Sequence, residues 1–101
     1  MQLKILQNKV GEKMKGIISV IGKDKTGIIA KVSTALYELK INIEDISQTI
    51  MQDDFFTMVM VVDLSKVDIN TVNEKLQNVA KEMNVDIAIR HEEIFNKMHR
   101  I

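Results

Sequence analysis

The sequence contains no cysteine, no proline and no tryptophan, and only four of its 101 residues are glycine. Zero cysteine excludes disulfides, thiolate zinc sites, CxxC redox centres and cysteine nucleophiles together. It fits a reducing compartment, so a cytoplasmic location is expected. Charge of one sign is lacking too: 14 Lys and Arg balance 14 Asp and Glu, and the formal net charge is zero. A general polyanion binder needs a basic excess to release counterions, so no nucleic-acid partner is expected. No apolar run approaches the roughly 20 residues that span a bilayer. No basic-then-apolar leader opens the chain, and no membrane partner is expected.

Catalytic groups are sparse. His91 and His99 are the only histidines, and strand and helix geometry give them no shared face with Glu92 and Glu93, so no metal site is expected. Ser33, Ser47 and Ser65 have no histidine at a motif-like position, so no triad, no catalytic residue and no cofactor are assigned. What the chain does have is apolar content, 46% of residues. That is enough for one core and too little length for two. The expected class is one small soluble α+β domain.

Residues 1–13 match the rest poorly. Leu3, Leu6 and Val10 form a weak helical stripe, marginal at that length. A second methionine, Met14, stands before the first strong strand. In an A-rich bacterial gene, the codons for Gly11-Glu12-Lys13 would spell a purine-rich ribosome-binding site before an ATG. The expectation is that the biological start is Met14, with 1–13 an extension outside the native protein, and that 14–101 is one domain; a frayed N-terminal arm is the alternative.

The rest reads as six elements. KGIISVIG (residues 15–22) is a strand ending at Gly, and KDKTG (23–27) a turn. Ile28, Ile29, Val32, Ala35, Leu36 and Leu39 recur at helical spacing, with Asp24 or Thr26 available as cap. Residues 41–52 form a second strand. Its apolar positions switch from odd (Ile41, Ile43) to even (Ile46, Ile50), which implies a bulge near Glu44-Asp45. Asp53-Asp54 is a tight connection. Residues 55–62, FFTMVMVV, suit a central strand. Asp68 is placed to cap a second amphipathic helix through Ile69, Val72, Leu76, Val79, Ala80 and Met83. Val85, Ile87 and Ile89 alternate as a fourth strand. Residues 93–101 place Ile94, Phe95, Met98 and Ile101 on one face of a C-terminal helix.

The order β-α-β-β-α-β is the ferredoxin-like arrangement: two helices on one face of a four-stranded antiparallel sheet, with strands 1 and 3 central. Strand 3 is apolar on both faces, Phe55, Val59 and Val61 on one, Phe56, Met58, Met60 and Val62 on the other. One row needs a further cover, from the C-terminal helix, a second subunit or both, and a homodimer is expected.

The run Ile21-Gly22-Lys23-Asp24-Lys25-Thr26-Gly27-Ile28-Ile29-Ala30-Lys31-Val32 resembles the opening of an ACT domain. The resemblance continues through Leu36-Tyr37-Glu38-Leu39-Lys40-Ile41-Asn42-Ile43, Ser47-Gln48-Thr49 and Phe55-Phe56-Thr57-Met58. It covers about residues 15–92 and is nearest to the small stand-alone bacterial ACT proteins. Many members carry Pro before the loop Gly; Thr26 stands there in this chain and also suits a helix start.

The physical reading of this loop stands beside the resemblance. A helix N-terminus offers N–H groups and partial positive charge to an α-carboxylate. Asp24 suits an α-ammonium, Asn42 supplies a donor and an acceptor, and Gly27 lets the backbone approach a ligand. The resemblance implies ligand-binding positions at Asp24, Lys25, Thr26, Gly27, Ile28 and Asn42, with Gln48 a further one, and an amino acid or related metabolite at a subunit interface. The bland reading makes Asp24 a cap and Gly27 and Asn42 turn residues.

Three functions stay open: a homodimeric regulatory sensor acting through a partner protein; an ACT dimer that has lost its ligand and serves protein interaction; and a small enzyme of acylphosphatase-like topology. The last lacks a loop arginine, since Arg90 and Arg100 lie far downstream. An RNA-binding reading of the same topology lacks aromatics on strand 1 and a basic surface.

Overall fold

The structure is a computed structural model that describes residues 14–23 and 25–93, and of Lys25 the backbone alone. Residues 1–13, Asp24 and the apolar stripe of 94–101 lie outside the described residues. The element order is β1 (Lys15–Gly22), α1 (Lys25–Glu38), β2 (Ile43–Ile50), a short 3-10 turn (Gln52–Asp54), β3 (Phe56–Asp63), α2 (Ile69–Met83) and β4 (Asp86–His91). The strands form one sheet in the order β2-β3-β1-β4, every pairing antiparallel. The expected ferredoxin-like topology and the two central strands are present.

Period-two alternation sorts the central strands into faces. Ile18 and Val20 of β1 and Phe56, Met58, Met60 and Val62 of β3 are all under 2% exposed. They share one core with Ile28, Val32 and Leu36 of α1 and with Val72, Leu76 and Val79 of α2. Both helices therefore cover the same face. The other row of β3 is the uncovered one: Val59 is 37% exposed. The β2–β3 register slips between Ile43 and Asp45, the bulge that the phase switch requires.

Local chemistry sets the helix ends. Asp68 has extended φ/ψ and its carboxylate accepts from the Asn70 N–H at 3.0 Å, an N-cap for α2. Asp68→Ala is expected to cost about 1 kcal/mol in urea denaturation, the usual value of such a cap; an unchanged midpoint would contradict the assignment. At the end of α1, Lys40 takes a left-handed φ of 59°. Its N–H reaches the Tyr37 carbonyl and the Ile41 N–H reaches the Leu36 carbonyl, a Schellman closure. The accompanying apolar pair is Leu36 and Ile41, both buried.

Several boundaries differ from the sequence reading, among them the start of β2, at Ile43 rather than Ile41. Helix α1 starts at Lys25 rather than after Gly27, so Gly27 lies inside its first turn, and no glycine among the described residues has positive φ. Strand β2 ends at Ile50 and β3 starts at Phe56. The cause is the turn between them, where Asp53 and Asp54 have φ of 63° and 64°. Two consecutive left-handed residues suit a hairpin's twist, and short polar side chains tolerate them. The turn removes Phe55 from the strand.

Candidate functional site

The end of β1 and the start of α1 converge tightly. A Cβ on Gly22 would sit 2.5 Å from Val85 Cγ1 and 2.7 Å from Ile28 Cδ1, so only glycine fits there without displacement. This closeness lets the chain turn from sheet into helix within a few residues. Lys25, Thr26, Gly27 and Ile28 make up the first turn of α1, with no acidic side chain in it. Such a turn directs N–H groups and partial positive charge outward, toward caps or an anion.

The individual positions differ in what they offer. Thr26 is exposed and Gly27 half-buried. Ile28 is fully buried in the core, so its side chain anchors the helix and only its backbone is left to meet a ligand. Asp24 and the Lys25 side chain lie outside the described residues. Asn42 is exposed, and its carbonyl accepts from the Asp63 N–H at 3.0 Å. Gln48 is exposed in mid-β2, opposite Met58.

These positions are not brought together within one chain. Asp63 faces Lys15 at the beginning of β1, so Asn42 sits level with that beginning, whereas the β1–α1 turn follows its end at Gly22. Eight strand residues separate the two levels, roughly 25 Å at the usual rise. Gln48 lies between them on the edge strand.

Beside the β1–α1 turn there is a cleft of about 610 Å³ that the sequence reading missed, walled by Gly22, Lys23, Phe55, Asn84 and Asp86 among others. The Lys23 ammonium stands 5.0 Å from the centre of the Phe55 ring, within cation–π range. The only signal was Phe55 itself, hidden in an apolar run that read as strand. At the opposite end of the sheet Lys15 pairs with Glu44. That hydrogen bond, with Glu92 and Asp63 adding attraction, holds the Lys15 ammonium above the ordinary lysine value. Among the described residues no cluster of three or more His, Asp or Glu could hold a metal, and no helix is long and apolar enough to cross a membrane.

The comparisons with known proteins agree with this architecture. Residues 16–90 match the pattern that defines ACT domains. A UPF0237 protein from Clostridium acetobutylicum is 56% identical over 90 residues, covering 87% of this chain and all of that one. A UPF0237 protein from Methanocaldococcus jannaschii is 49% identical over 87 residues, 84% of this chain and 96% of that one. Among solved structures, an ACT domain protein from Streptococcus pneumoniae superposes with a TM-score of 0.71 at 44% identity, covering 83% of this chain and 96% of that one. The ligand-free regulatory subunit of aspartate kinase from Thermus thermophilus gives 0.63 at 28% identity, over 78% of this chain and 52% of that one.

Proposed function

Because this chain belongs to the ACT domain family, whose members are in general regulatory ligand-binding modules, we propose that it is a cytoplasmic homodimeric sensor of a free amino acid or closely related metabolite. The observation that carries this reading is the separation of the candidate residues within one chain, together with the direction of β2.

Strands β1 and β2 both run antiparallel to β3, so they point the same way. The end of β2 therefore lies at the level of the β1–α1 turn, and Asn42 lies at the other end. Pairing two β2 edges antiparallel carries Asn42 of a second copy to the end where the first copy's turn stands. Two equivalent sites then form, each with the helix start of one protomer and the asparagine of the other. The helix start takes the α-carboxylate, Asp24 the α-ammonium, and Asn42 hydrogen-bonds the ligand from the far side.

The β2 edge suits such pairing. Every residue from Asp45 to Ile50 is exposed, and ISQTI carries no lysine or proline to blunt it. The other edge, β4, is shorter and carries Asp86 and Arg90. In register, Ile46 and Ile50 stand opposite Met60 and Phe56 on the helix side of the sheet, 40% and 58% exposed. Pairing buries them between the two copies.

A sensor with no effector domain acts through a partner protein, and ligand changes output only through differential affinity for two states or assemblies. The regulatory subunit of aspartate kinase, with its similar fold, speaks for such a division of labour. The test is calorimetry against the twenty proteinogenic amino acids. At least one is expected to bind with one site per protomer, and Asn42→Ala is expected to weaken it at least tenfold, the value of a lost polar contact of about 1.5 kcal/mol. Heat from none of the twenty at millimolar concentration would contradict the reading.

A further inference from the structure

The sheet face opposite the two helices is largely apolar, with Ser19 at its centre and Arg90 opposite Ile17. Ile17 and Ile21 of β1, Val59 and Val61 of β3 and Ala88 of β4 all belong to it by register. Its burial is uneven: Ile17 is 7% exposed, whereas Ile21 is 46% and Val59 37%. The buried end is the one where β4 finishes, since His91 pairs with Gly16 next to Ile17.

We propose that residues 94–101 of the same chain dock in cis across this end of the open face, as a third layer over Ile17 and Val61. Three observations carry the proposal. The segment begins three residues past His91, so it starts at the rim of the face it would cover. Its length fits: eight residues make about 12 Å of helix, and the distance from β4 across β1 to β3 is about 10 Å. Its chemistry fits as well. Ile94, Phe95, Met98 and Ile101 supply an apolar stripe, while Lys97, His99 and Arg100 are its titratable side chains, with no carboxylate among them. The far rim at this end carries Glu44, Asp45 and Asp63 beside a single Lys15. A helix laid from β4 toward β2 brings its basic end to that acidic rim.

Docking in cis leaves the β2 edge free, so it stands whether or not the protein senses an amino acid. It also splits the open face: the Ile17 end is closed, and the Ile21–Val59 end with Phe55 stays accessible.

The test is an isotope-filtered NOE experiment on an equal mixture of carbon-13-labelled and unlabelled full-length chains. Expected are intrachain contacts from the Phe95 ring and the Met98 methyl to the Ile17 and Val61 methyls. Contacts found only between chains assign the face to a second copy and overturn the proposal. Contacts from Leu3, Leu6 or Val10 in place of the C-terminal residues overturn it too, as does the absence of any contact. A chain ending at Glu93 gives a second reading. It is expected to keep its far-UV circular dichroism and to bind an apolar dye several-fold more than the full chain; equal dye binding contradicts the proposal.

Discussion

Lysine at both Ile46 and Ile50 is expected to convert the protein to monomers and to abolish ligand binding in the same step. Both side chains are exposed in the single chain, so replacing them costs the protomer little, within about 0.5 kcal/mol each. In the proposed dimer the four isoleucines lie at the seam, and four lysines would have to be buried or pushed together there. Lysine on an edge strand is also the means by which natural sheets refuse partners. The dimer dissociation constant is expected to rise by about 100-fold or more, which is about 2.7 kcal/mol. Light scattering at micromolar concentration reads the halved mass, and circular dichroism checks that the fold is kept. Amino-acid binding is expected to be lost with it, because in the proposed dimer Asn42 reaches the site only from the second copy. A variant that stays dimeric would move the interface elsewhere.

Phe56→Ala is expected to cost 3–5 kcal/mol in urea denaturation, the range for a buried aromatic truncated to alanine. Phe56 is 1% exposed. It stands opposite Gly22 on β1 and Ile50 on β2, in the part of the core on which the β1–α1 turn rests. Domains of this size have about 5–15 kcal/mol in total, so the variant would lie near its unfolding threshold at 37 °C. Tyr37→Ala is the matched control. Its side chain is 80% exposed on α1, and the change should stay within about 0.5 kcal/mol. A loss below 1 kcal/mol for Phe56→Ala would mean that the core can collapse around the missing ring.

Much of the fold was legible because the sequence repeats its instruction at several levels. The apolar run of β3 marks a central strand, the odd-to-even switch after Ile43 marks the bulge, and Asp68 before an amphipathic stripe marks a cap. The boundaries that escaped have physical reasons. Gly27 reads as a turn residue, yet it takes helical angles two residues inside α1. Lys40 carries no turn signal, and its left-handed conformation is imposed by the Schellman closure around it. Asp53 and Asp54 form a left-handed pair that shortens both neighbouring strands and puts Phe55 beside Lys23.

The candidate site was legible as chemistry and not as geometry. Asp24 to Ile28 and Asn42 are less than twenty residues apart in sequence, and the reading of types and spacing groups them. The intervening helix carries the chain the full length of the sheet, so the two parts end at opposite levels. Only the topology reveals this separation, and only strand direction shows how the second copy of the proposed dimer would repair it.

The central claim is that each site takes its helix start from one chain and its asparagine from the other. Mixing two inactive variants tests it directly. Asp24→Ala and Asn42→Ala homodimers are each expected to bind the amino acid at least tenfold more weakly than the unaltered protein. After mixing and subunit exchange, each mixed dimer has one site carrying both substitutions and one carrying neither. Calorimetry should then recover native affinity at one site per mixed dimer. Recovery of no native-affinity site, in a mixture shown by mass spectrometry to contain mixed dimers, would contradict the account.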